Sequence, residues 1–266
     1  MIVIDDPDDP RVAPFRLNER GLTNRVQRRD DGGDGLFMAE GDLVVERALD
    51  AGCRPVMALV DSQRPPAVVQ RLLPLTTVYS GGERMRAAVT KLGMPYSVVA
   101  LFERPARTTV ASLMQTATRL LLAEAVDNPL NIGSIARNAL ALGWHGLVLD
   151  GTSVDPLARR ALRVSMGQAL LLPHARTTDL QADIAALRER DWHVYALTPA
   201  ADAVPLDAVR PGEKVALLLG SERAGLSDEA MAAATARVCI PMHSGVDSLN
   251  VANASAVACW HLRPQG

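Results

Sequence analysis

The sequence predicts an α/β fold, in which mostly parallel strands are covered by helices on both faces. Short apolar runs alternate with segments of helical periodicity along most of the 266 residues. A stretch at 103–117 without a strong period divides this alternation into two series. We therefore expect a smaller N-terminal domain over residues 1–103, a linker over 104–118 and a larger domain over 119–266.

The first series follows a polar start. Residues 1–35 are charged and end in the turn cluster DGGDG, so we expect an arm or a helix with loops there. The apolar run LFMAEG at 36–41 precedes a segment at 41–51 that has helical spacing. The other expected elements of this series are strands at 55–60, 77–79 and 97–102 and helices at 66–73 and 82–92.

The second series is longer and begins at Arg119. Its expected strands are 120–124, 146–149, 170–172, 192–197, 214–219 and 237–240. Its expected helices are 134–142, 157–166, 180–188, 227–233 and 248–261. Asp247 or Ser248 can cap the last helix, because either side-chain oxygen can accept from a backbone N–H of the first turn. Parallel sheets bind ligands beyond the carboxyl ends of their strands, so we expect the functional residues in the strand-to-helix loops.

Charge singles out one segment. The net charge of −2 favours no particular partner, but residues 11–29 contain six arginines and one acid, Glu19. Such a stretch can hold phosphate groups, and a solvated helix face is the alternative interpretation. We take this stretch as the candidate contact with a phosphate backbone.

Cysteine and histidine spacing argues against disulfide and metal chemistry. The three cysteines include no CxxC pair and the five histidines show no HxxxH spacing, so neither a disulfide framework nor a zinc site is indicated. The acidic start MIVIDDPDDP lacks the pattern of a signal peptide, and no apolar run approaches the roughly 18 residues that span a membrane. We expect a cytoplasmic protein with free thiols, without a metal and without a membrane anchor.

The first loop of interest, EAVDNPLNIGSIARN at 124–138, follows an expected strand and opens a helix. Asn131 and Gly133 lie where this helix is expected to begin, and Arg137 follows less than two turns later. A helix N-terminus attracts anions, and the guanidinium adds a fixed charge and a bidentate fork. The alternative is an ordinary capped helix that carries a surface arginine.

The second loop, LLLGSERAGLS at 217–227, takes a strand into a glycine-rich turn. Gly220 and Gly225 have the spacing of a phosphate loop, but Leu226 stands where that loop needs lysine, so we reject that interpretation. The sequence contains no GxGxxG, which leaves dinucleotide binding without support. Glu222 can pair with an arginine or remain solvated.

The third loop lies in IPMHSGVDSLNVANASAVACW at 240–260. There is no GxSxG elbow, so Ser248 is not expected to be a nucleophile. Asn250 and Asn253 are poor residues for a helix interior, which indicates a role other than helix propensity. Together the three loops offer glycines, amides, small hydroxyls and one arginine. That set suits a neutral or zwitterionic small molecule held by backbone groups, with an anionic second substrate near the arginine.

These three loops resemble the three motifs of the SpoU-type (TrmH-like) RNA ribose 2′-O-methyltransferases. The first motif, N-x-G-x-x-x-R, is matched by Asn131, Gly133 and Arg137. The second motif, G-x-E-x-x-G-L-S, is matched at 220–227, and the third, I-P-M followed by S-L-N-V, is matched within 240–251. The motifs agree in order, in spacing and in following a strand, and the match covers the chain from Leu120 to the C-terminus.

Two further segments extend the resemblance. Asp155, Pro156 and RVSMG at 163–167 look like the segment that links the first two motifs in the family. FMAEG at 37–41 and the α/β order that follows it are similar to the smaller L30e-like RNA-binding domain that many members carry. The N-terminal match is looser than the match from Leu120 onward.

The resemblance implies a C-terminal α/β domain of the SPOUT class, in which the last segment threads through a loop and forms a trefoil knot. It implies that S-adenosylmethionine is the cofactor and is contacted by backbone around four positions: Thr198, Gly220, Ile240 and Leu249. It implies a methyl-transfer site built from four residues, Asn131, Arg137, Ser248 and Asn250, with Glu222 and Gly225 as further motif residues. Family members are typically homodimers whose site lies near the subunit interface.

The implied activity is methylation of a ribose 2′-OH in structured RNA, and the two-domain layout favours ribosomal RNA over transfer RNA. Arg137 would anchor a phosphate and stabilise the oxyanion, or it would assist deprotonation. One alternative is a transfer-RNA 2′-O-methyltransferase. Another is an RNA-binding or ribosome-associated factor that keeps the fold without the chemistry, and cofactor binding distinguishes this alternative from an enzyme.

Overall fold

Strands and helices alternate along the chain in the computed structural model, which describes residues 1–23, 35–243 and 247–264. The expected α/β fold with mostly parallel sheets is confirmed. The chain divides into two units. Unit 1 comprises Met1–Ala106 and Leu157–Leu171, and unit 2 comprises Arg107–Pro156 and Leu172–Gly266.

The elements are numbered here in chain order. The strands are β1 (Ile2–Val3), β2 (Leu36–Glu40), β3 (Pro55–Asp61), β4 (Thr77–Gly81), β5 (Val98–Glu103), β6 (Arg119–Ala123), β7 (Gly146–Leu149), β8 (His174–Arg176), β9 (His193–Leu197), β10 (Val204–Pro205), β11 (Val215–Leu219) and β12 (Ala236–Cys239). The α-helices are α1 (Glu19–Leu22), α2 (Asp42–Asp50), α3 (Val69–Leu72), α4 (Glu83–Thr90), α5 (Val110–Thr116), α6 (Pro129–Ala141), α7 (Arg159–Val164), α8 (Leu180–Arg188), α9 (Asp228–Ala233) and α10 (Val251–His261). Short 3-10 helices lie at Pro10–Arg16, Gln168–Leu170 and Leu206–Ala208.

The sheet of unit 1 has the strand order β1-β4-β3-β5-β2. β1, β3 and β4 are parallel, and β5 pairs antiparallel with both β3 and β2. A core of large apolar side chains from the strands, α4 and the first 3-10 helix packs on this sheet, and it includes Phe15, Met38, Leu59, Val89 and Leu101. Burial of these side chains supplies the main favourable contribution to the folding of unit 1.

The helix in the segment 157–171 was expected to belong to the domain of the second series, and this expectation is wrong. In the structure α7 packs against β2 and lies in unit 1. The cause is Glu40 at the end of β2, whose fully buried carboxylate forms ion pairs with Arg159 and, at 3.2 Å, with Arg163. A buried carboxylate requires such partners, and hydrophobic periodicity cannot reveal a pairing between residues so distant in the sequence.

The sheet of unit 2 has the strand order β10-β12-β9-β11-β6-β7-β8, and neighbouring strands pair in parallel. The central strands β6 and β11 are buried along their whole length, which explains their continuous apolar sequences RLLLA and VALLL. One face of the sheet packs with α5, α8 and α9 in a core that contains Leu122, Ile184 and Leu218. Because the strands are parallel, their carboxyl ends all lie at one edge of the sheet.

The position of β12 is unusual. It lies between β9 and β10, although only six residues separate those two strands in the sequence. The backbone N–H of Thr198, just after β9, donates to the carbonyl of Val238 in β12 at 2.9 Å. The last strand is thus inserted between two segments that are close in the chain, an arrangement compatible with the implied knot, whose threading stays a prediction.

One expected strand is wrong. The apolar run at 170–172 predicts a strand, but in the structure a 3-10 helix ends at Leu170, a turn follows it, and β8 begins only after Pro173. Gly167, with φ of +82°, starts this helical turn in a backbone conformation that favours glycine. A three-residue apolar run fits a buried turn as well as a strand, so periodicity alone could not separate the two.

The stretch expected to link the two domains contains α5. Thr109 caps this helix by accepting from a backbone N–H of the first turn at 3.1 Å, and Leu113 and Met114 are buried in unit 2. Arg107 forms a buried ion pair with Asp155 at 3.0 Å. The helix escaped the sequence analysis because seven residues span barely two turns. The functional boundaries at 1–103, 104–118 and 119–266 stay predictions.

Arg119, buried at the start of β6, organises the opposite edge of the unit 2 sheet. Its guanidinium donates to the carbonyls of Leu262 at 2.7 Å, Glu213 at 2.5 Å and Gly212 at 3.1 Å. Burial lowers the pKa of Arg119, since these carbonyls only partly replace the lost hydration. Burial and then the Arg119 charge also lower the pKa of His145, whose Nδ1 accepts from the Arg119 N–H at 3.2 Å.

Candidate functional site

Three strands of unit 2 end side by side at Leu197, Leu219 and Cys239, because β9, β11 and β12 are parallel neighbours. The loops that follow these strands enclose a cavity of about 370 Å³. Apolar side chains, among them Leu226 and Met231, line it together with the glycine loop after β11. The cavity therefore lies at the edge where the parallel topology predicts a ligand site.

All four positions that the resemblance assigns to the cofactor line this one cavity: Thr198, Gly220, Ile240 and Leu249. The first three are each the residue directly after β9, β11 or β12. Corresponding positions on adjacent parallel strands are thereby brought together, although they are far apart in the sequence. The cavity lining also includes Glu222, Gly225 and Ser248.

The glycine loop between β11 and α9 is closed on itself. Ser221 and Gly225 exchange two backbone hydrogen bonds, of 3.2 and 3.0 Å, and the Ser221 hydroxyl accepts from the N–H of Ala224 at 3.1 Å. Gly225 has φ of +71°, a conformation that favours glycine. A Cβ on Gly220 would lie 2.3 Å from the carbonyl carbon of Gly225 and 2.4 Å from the nitrogen of Leu226. The turn therefore requires both glycines.

Two asparagine amides converge on Glu222. The Nδ2 of Asn131 donates to Glu222 Oε1, and the Nδ2 of Asn250 donates to the same oxygen at 2.7 Å and to Asn131 Oδ1 at 3.1 Å. Of the two expected alternatives, Glu222 is exposed rather than paired with an arginine in the described residues, and its partners are the two amides. Hydrogen bonds to an ionised carboxylate are stronger than neutral ones, so this network ties the first, second and third motifs together.

Asn250 also corrects the expected start of the last helix. Neither Asp247 nor Ser248 is its cap, because α10 begins at Val251 and Asn250 accepts from the N–H of Ala252 at 2.9 Å. Asparagine is a preferred N-cap and a poor residue for a helix interior. The sequence therefore indicated correctly that Asn250 is not inside the helix, but the helix was predicted to begin too early. The two ends of one amide thus perform two tasks, since Oδ1 caps α10 and Nδ2 joins the network on Glu222.

Arg137 is not brought into this network. It is exposed, it does not line the cavity, and within the described ranges no hydrogen bond or ion pair involves it. Six residues at 100° each place it roughly 120° around α6 from Asn131. The guanidinium is thus free to contact a ligand outside the described chain. Ser248 is exposed as well, but it does line the cavity.

Asn138 is a site residue that was not predicted from the sequence. Its Nδ2 donates to the carbonyl of Ala252 at 2.9 Å and to the hydroxyl of Ser255 at 3.3 Å, which fixes the first turn of α10 against α6. The seven-residue spacing from Asn131 was an available signal, because residues two turns apart share a face of a helix. No role was predicted for Glu124 either, whose carboxylate accepts from the N–H and the hydroxyl of Ser227.

Two classes of feature are not found in the described part of the chain. Within residues 1–23, 35–243 and 247–264, no group of three or more His, Cys, Asp and Glu side chains is placed to hold a metal ion. Over the same residues, every helix is too short or too polar to cross a bilayer.

The family model of the SpoU rRNA Methylase family matches residues 118–260. The chain belongs to this family. The resemblance drawn from the three motifs is thereby confirmed, and every residue of the cavity and of the Glu222 network lies within the matched region.

Similarity to individual proteins extends over nearly the whole chain. An uncharacterized tRNA/rRNA methyltransferase of Mycobacterium bovis is 36% identical, covering 98% of this chain and 91% of the relative. A 23S rRNA (guanosine(2553)-2′-O)-methyltransferase of Bacillus subtilis is 28% identical, covering 85% and 88%. A crystal structure of an AdoMet-bound rRNA methyltransferase from Sinorhizobium meliloti aligns with a TM-score of 0.80 at 26% identity, covering 98% and 96%. The similarity of this chain to these proteins therefore includes its N-terminal half as well as its C-terminal half.

Proposed function

We propose that this protein transfers a methyl group from S-adenosylmethionine to a ribose 2′-OH of structured RNA, with ribosomal RNA as the substrate. The observation that carries this proposal is that the second and third motif loops line one cavity, while the Asn131–Glu222–Asn250 network joins the first motif to both of them. The Bacillus subtilis relative, named as a 23S rRNA 2′-O-methyltransferase, supports both the ribose and the ribosomal assignment. The Sinorhizobium meliloti structure supports the cofactor.

The cavity suits a nucleoside cofactor in size and in chemistry. Its volume of about 370 Å³ lies within the range of roughly 300–1,000 Å³ that small-molecule sites occupy. Ile240 and Leu249 offer apolar surface for a base, and Thr198 offers a hydroxyl. The backbone at Gly220 approaches the cavity without a side chain, as a closely held ligand requires. S-adenosylmethionine, when bound, supplies an electrophilic methyl group.

The chain's own residues would hold the ribose and stabilise the charge that develops on its 2′-oxygen, while the RNA phosphate would accept the proton. A ribose hydroxyl is a weak nucleophile until its proton is removed. We assign Arg137 to an RNA phosphate and to the developing oxyanion, because a guanidinium stays protonated and offers a planar donor fork. Asn131 and Asn250, held rigid by Glu222, would orient the ribose, and Ser248 faces it from the cavity wall. Rigid donors lower the cost of reaching the reactive geometry.

RNA binding is assigned to the N-terminal unit, and the basic stretch at 11–29 is its proposed phosphate contact. Residues 24–29 lie outside the described residues. Arg11 and Arg16 are partly exposed and pair with Asp9 at 2.6 Å and Asp8 at 3.1 Å. The hydrogen bond from Arg11 lowers the pKa of Asp9 to about 2. Exposed ion pairs of this kind contribute little to stability, so a phosphate can replace the carboxylates as partners of the arginines.

A second copy of the chain is the partner that we propose for the outer face of α6 and α10. These helices pack against each other, and their outer surface exposes Leu130, Val257 and Trp260, the last with 57% of its surface accessible. Arg137 lies on the same side of α6 as Leu130, seven residues away. A homodimer would bury this apolar surface beside Arg137. Sedimentation of the wild type as a monomer at micromolar concentration would contradict the proposal, which otherwise predicts a dimer that Trp260→Asp dissociates.

The function is tested by calorimetric titration with S-adenosylmethionine, beside Leu249→Arg as the blocked variant and Leu73→Arg as the matched control. Both leucines are similarly exposed, at 38% and 41%, but only Leu249 lines the cavity. We expect saturable binding to the wild type and to Leu73→Arg, and none to Leu249→Arg. Absence of binding to the wild type would contradict the function.

Nucleoside analysis of RNA treated with the enzyme and labelled cofactor then tests the reaction. We expect label in a 2′-O-methyl nucleoside from ribosomal RNA. Label in transfer RNA would move the substrate assignment, and label on a base would overturn the ribose assignment. The enzyme is expected to act in the cytoplasm, where its substrate is made in bacteria.

A further inference from the structure

Glu124, the first residue after β6, bridges to the second motif. Its backbone N–H donates to the carbonyl of Leu219, the last residue of β11, at 2.9 Å. Its carboxylate reaches Ser227, where Oε2 accepts from the N–H at 2.8 Å and Oε1 accepts from the hydroxyl at 2.7 Å. The bridge thus consists of three hydrogen bonds of Glu124, one that it donates and two that it accepts.

The two ends of this bridge bracket the glycine loop. Leu219 precedes Gly220, and Ser227 follows Leu226, so one residue holds both ends of the segment 220–226 that lines the cavity. The Ser227 hydroxyl also accepts from the N–H of Ala230 at 3.1 Å as the cap of α9, so the bridge from Glu124 fixes the start of that helix too.

We infer that Glu124 is a positioning residue for the cofactor cavity, acting through Ser227 on the loop that carries Gly220 and Glu222. Glu124 does not line the cavity, so its effect reaches the ligand only through the loop. Hydrogen bonds to a carboxylate are about twice as strong as neutral ones, and two of them converge on a single loop residue. This inference rests on the proposed binding of S-adenosylmethionine.

The test is calorimetric titration of S-adenosylmethionine into the wild type, Glu124→Ala and Glu124→Gln, with thermal unfolding of each. We expect Glu124→Ala to lower affinity on the order of tenfold, because loss of a charge-assisted hydrogen bond in a binding loop has about that effect. Glu124→Gln keeps one acceptor and is expected to recover part of the affinity. Glu229→Ala, an exposed carboxylate in the first turn of the same helix α9, is the control and should bind like the wild type.

A double-mutant cycle with Ser227→Ala separates positioning from simple stability. If Glu124 acts through Ser227, the losses of affinity from Glu124→Gln and Ser227→Ala will be strongly non-additive. A lower melting temperature with unchanged affinity in Glu124→Ala would overturn the inference, because Glu124 would then serve only the fold. Failure of the wild type itself to bind would instead refute the proposed function, so the two failures are distinguishable.

Discussion

Gly220 shows how one residue sets the shape of the cavity. Its Cα lies so close to the backbone of Gly225 and Leu226 that no side chain fits, and backbone atoms cannot rotate aside as a side chain can. The close approach closes the loop, and the closed loop leaves a wall of backbone groups facing the cavity. Glycine is therefore needed here for space, whereas at Gly225 it is needed for a positive φ.

Gly220→Ala should lower the affinity for S-adenosylmethionine at least tenfold and the free energy of unfolding by about 1–3 kcal/mol, because overpacking forces the loop to move. Calorimetry and denaturant unfolding would measure the two effects. Gly151→Ala is the matched control, since a Cβ there meets nothing within 4 Å. Equal affinities of Gly220→Ala and the wild type would show that the loop does not shape the site.

Arg137 is exposed, and in the described ranges it forms no hydrogen bond or ion pair, so its prediction concerns the reaction rather than the fold. Arg137→Ala should abolish methyl transfer while leaving cofactor affinity within about threefold and the melting temperature unchanged, since exposed substitutions usually shift stability by less than about 0.5 kcal/mol. Arg137→Lys should recover little activity if the planar fork matters. Methyl transfer retained in Arg137→Ala would remove the residue from the mechanism.

At the scale of elements, the site depends on how α6 and α10 pack. Asn131 and Asn138 lie on one side of α6, and both reach toward the start of α10. Trp144, just beyond α6, donates through Nε1 to the carbonyl of Cys259 at 3.0 Å. The N-cap Asn250 is thereby held beside Glu222 by contacts spread along both helices.

Asn138→Ala should lower the free energy of unfolding by about 0.5–1.5 kcal/mol, because it removes the hydrogen bonds from the amide to the Ala252 carbonyl and the Ser255 hydroxyl. It should also weaken methyl transfer through the displaced start of α10. Equilibrium denaturation and initial rates would measure these effects. Ser134→Ala, on the same helix, is the control and should leave both unchanged. A wild-type rate in Asn138→Ala would show that the start of α10 tolerates movement.

At the scale of the whole molecule, the chain passes between the two units three times. Residues 157–171, from the middle of the second series, belong to unit 1. They are held there by the ion pairs of the buried Glu40 carboxylate with Arg159 and Arg163. Glu19 adds a further contact, since its Oε1 accepts from the N–H of Arg159 at 2.7 Å. This segment therefore belongs to unit 1 although the residues before and after it in the sequence belong to unit 2.

Glu40→Ala should lower the stability of unit 1 by about 1–3 kcal/mol, because it removes the charged partner of two guanidinium groups that are themselves only partly buried. Hydrogen exchange would locate the effect: amides of α7 should exchange faster, while those of α8 in unit 2 should not. Glu46→Ala, on the nearby helix α2, serves as the control. Unchanged exchange in α7 would show that apolar packing alone holds the segment.

The sequence by itself determined the fold class, most of the strands of unit 2 and the residues of the three motifs. Strands that are buried on both faces consist of continuous apolar residues, so they are visible in the sequence. The loops that follow them are continuous stretches of chain, so their glycines and amides can be identified without the structure. Short elements escaped it, as at 170–172 and in α5, because so few residues show no period.

Only the tertiary structure decided which of those residues meet. Glu222 lies 91 residues from Asn131 and 28 from Asn250, yet all three share one network. The placement of α7 in unit 1 depends on a carboxylate 119 residues away. The bridge from Glu124 to Ser227 spans 103 residues. Local periodicity carries no record of such pairings, because they arise from strand order and from the requirement that buried charges and amides find partners.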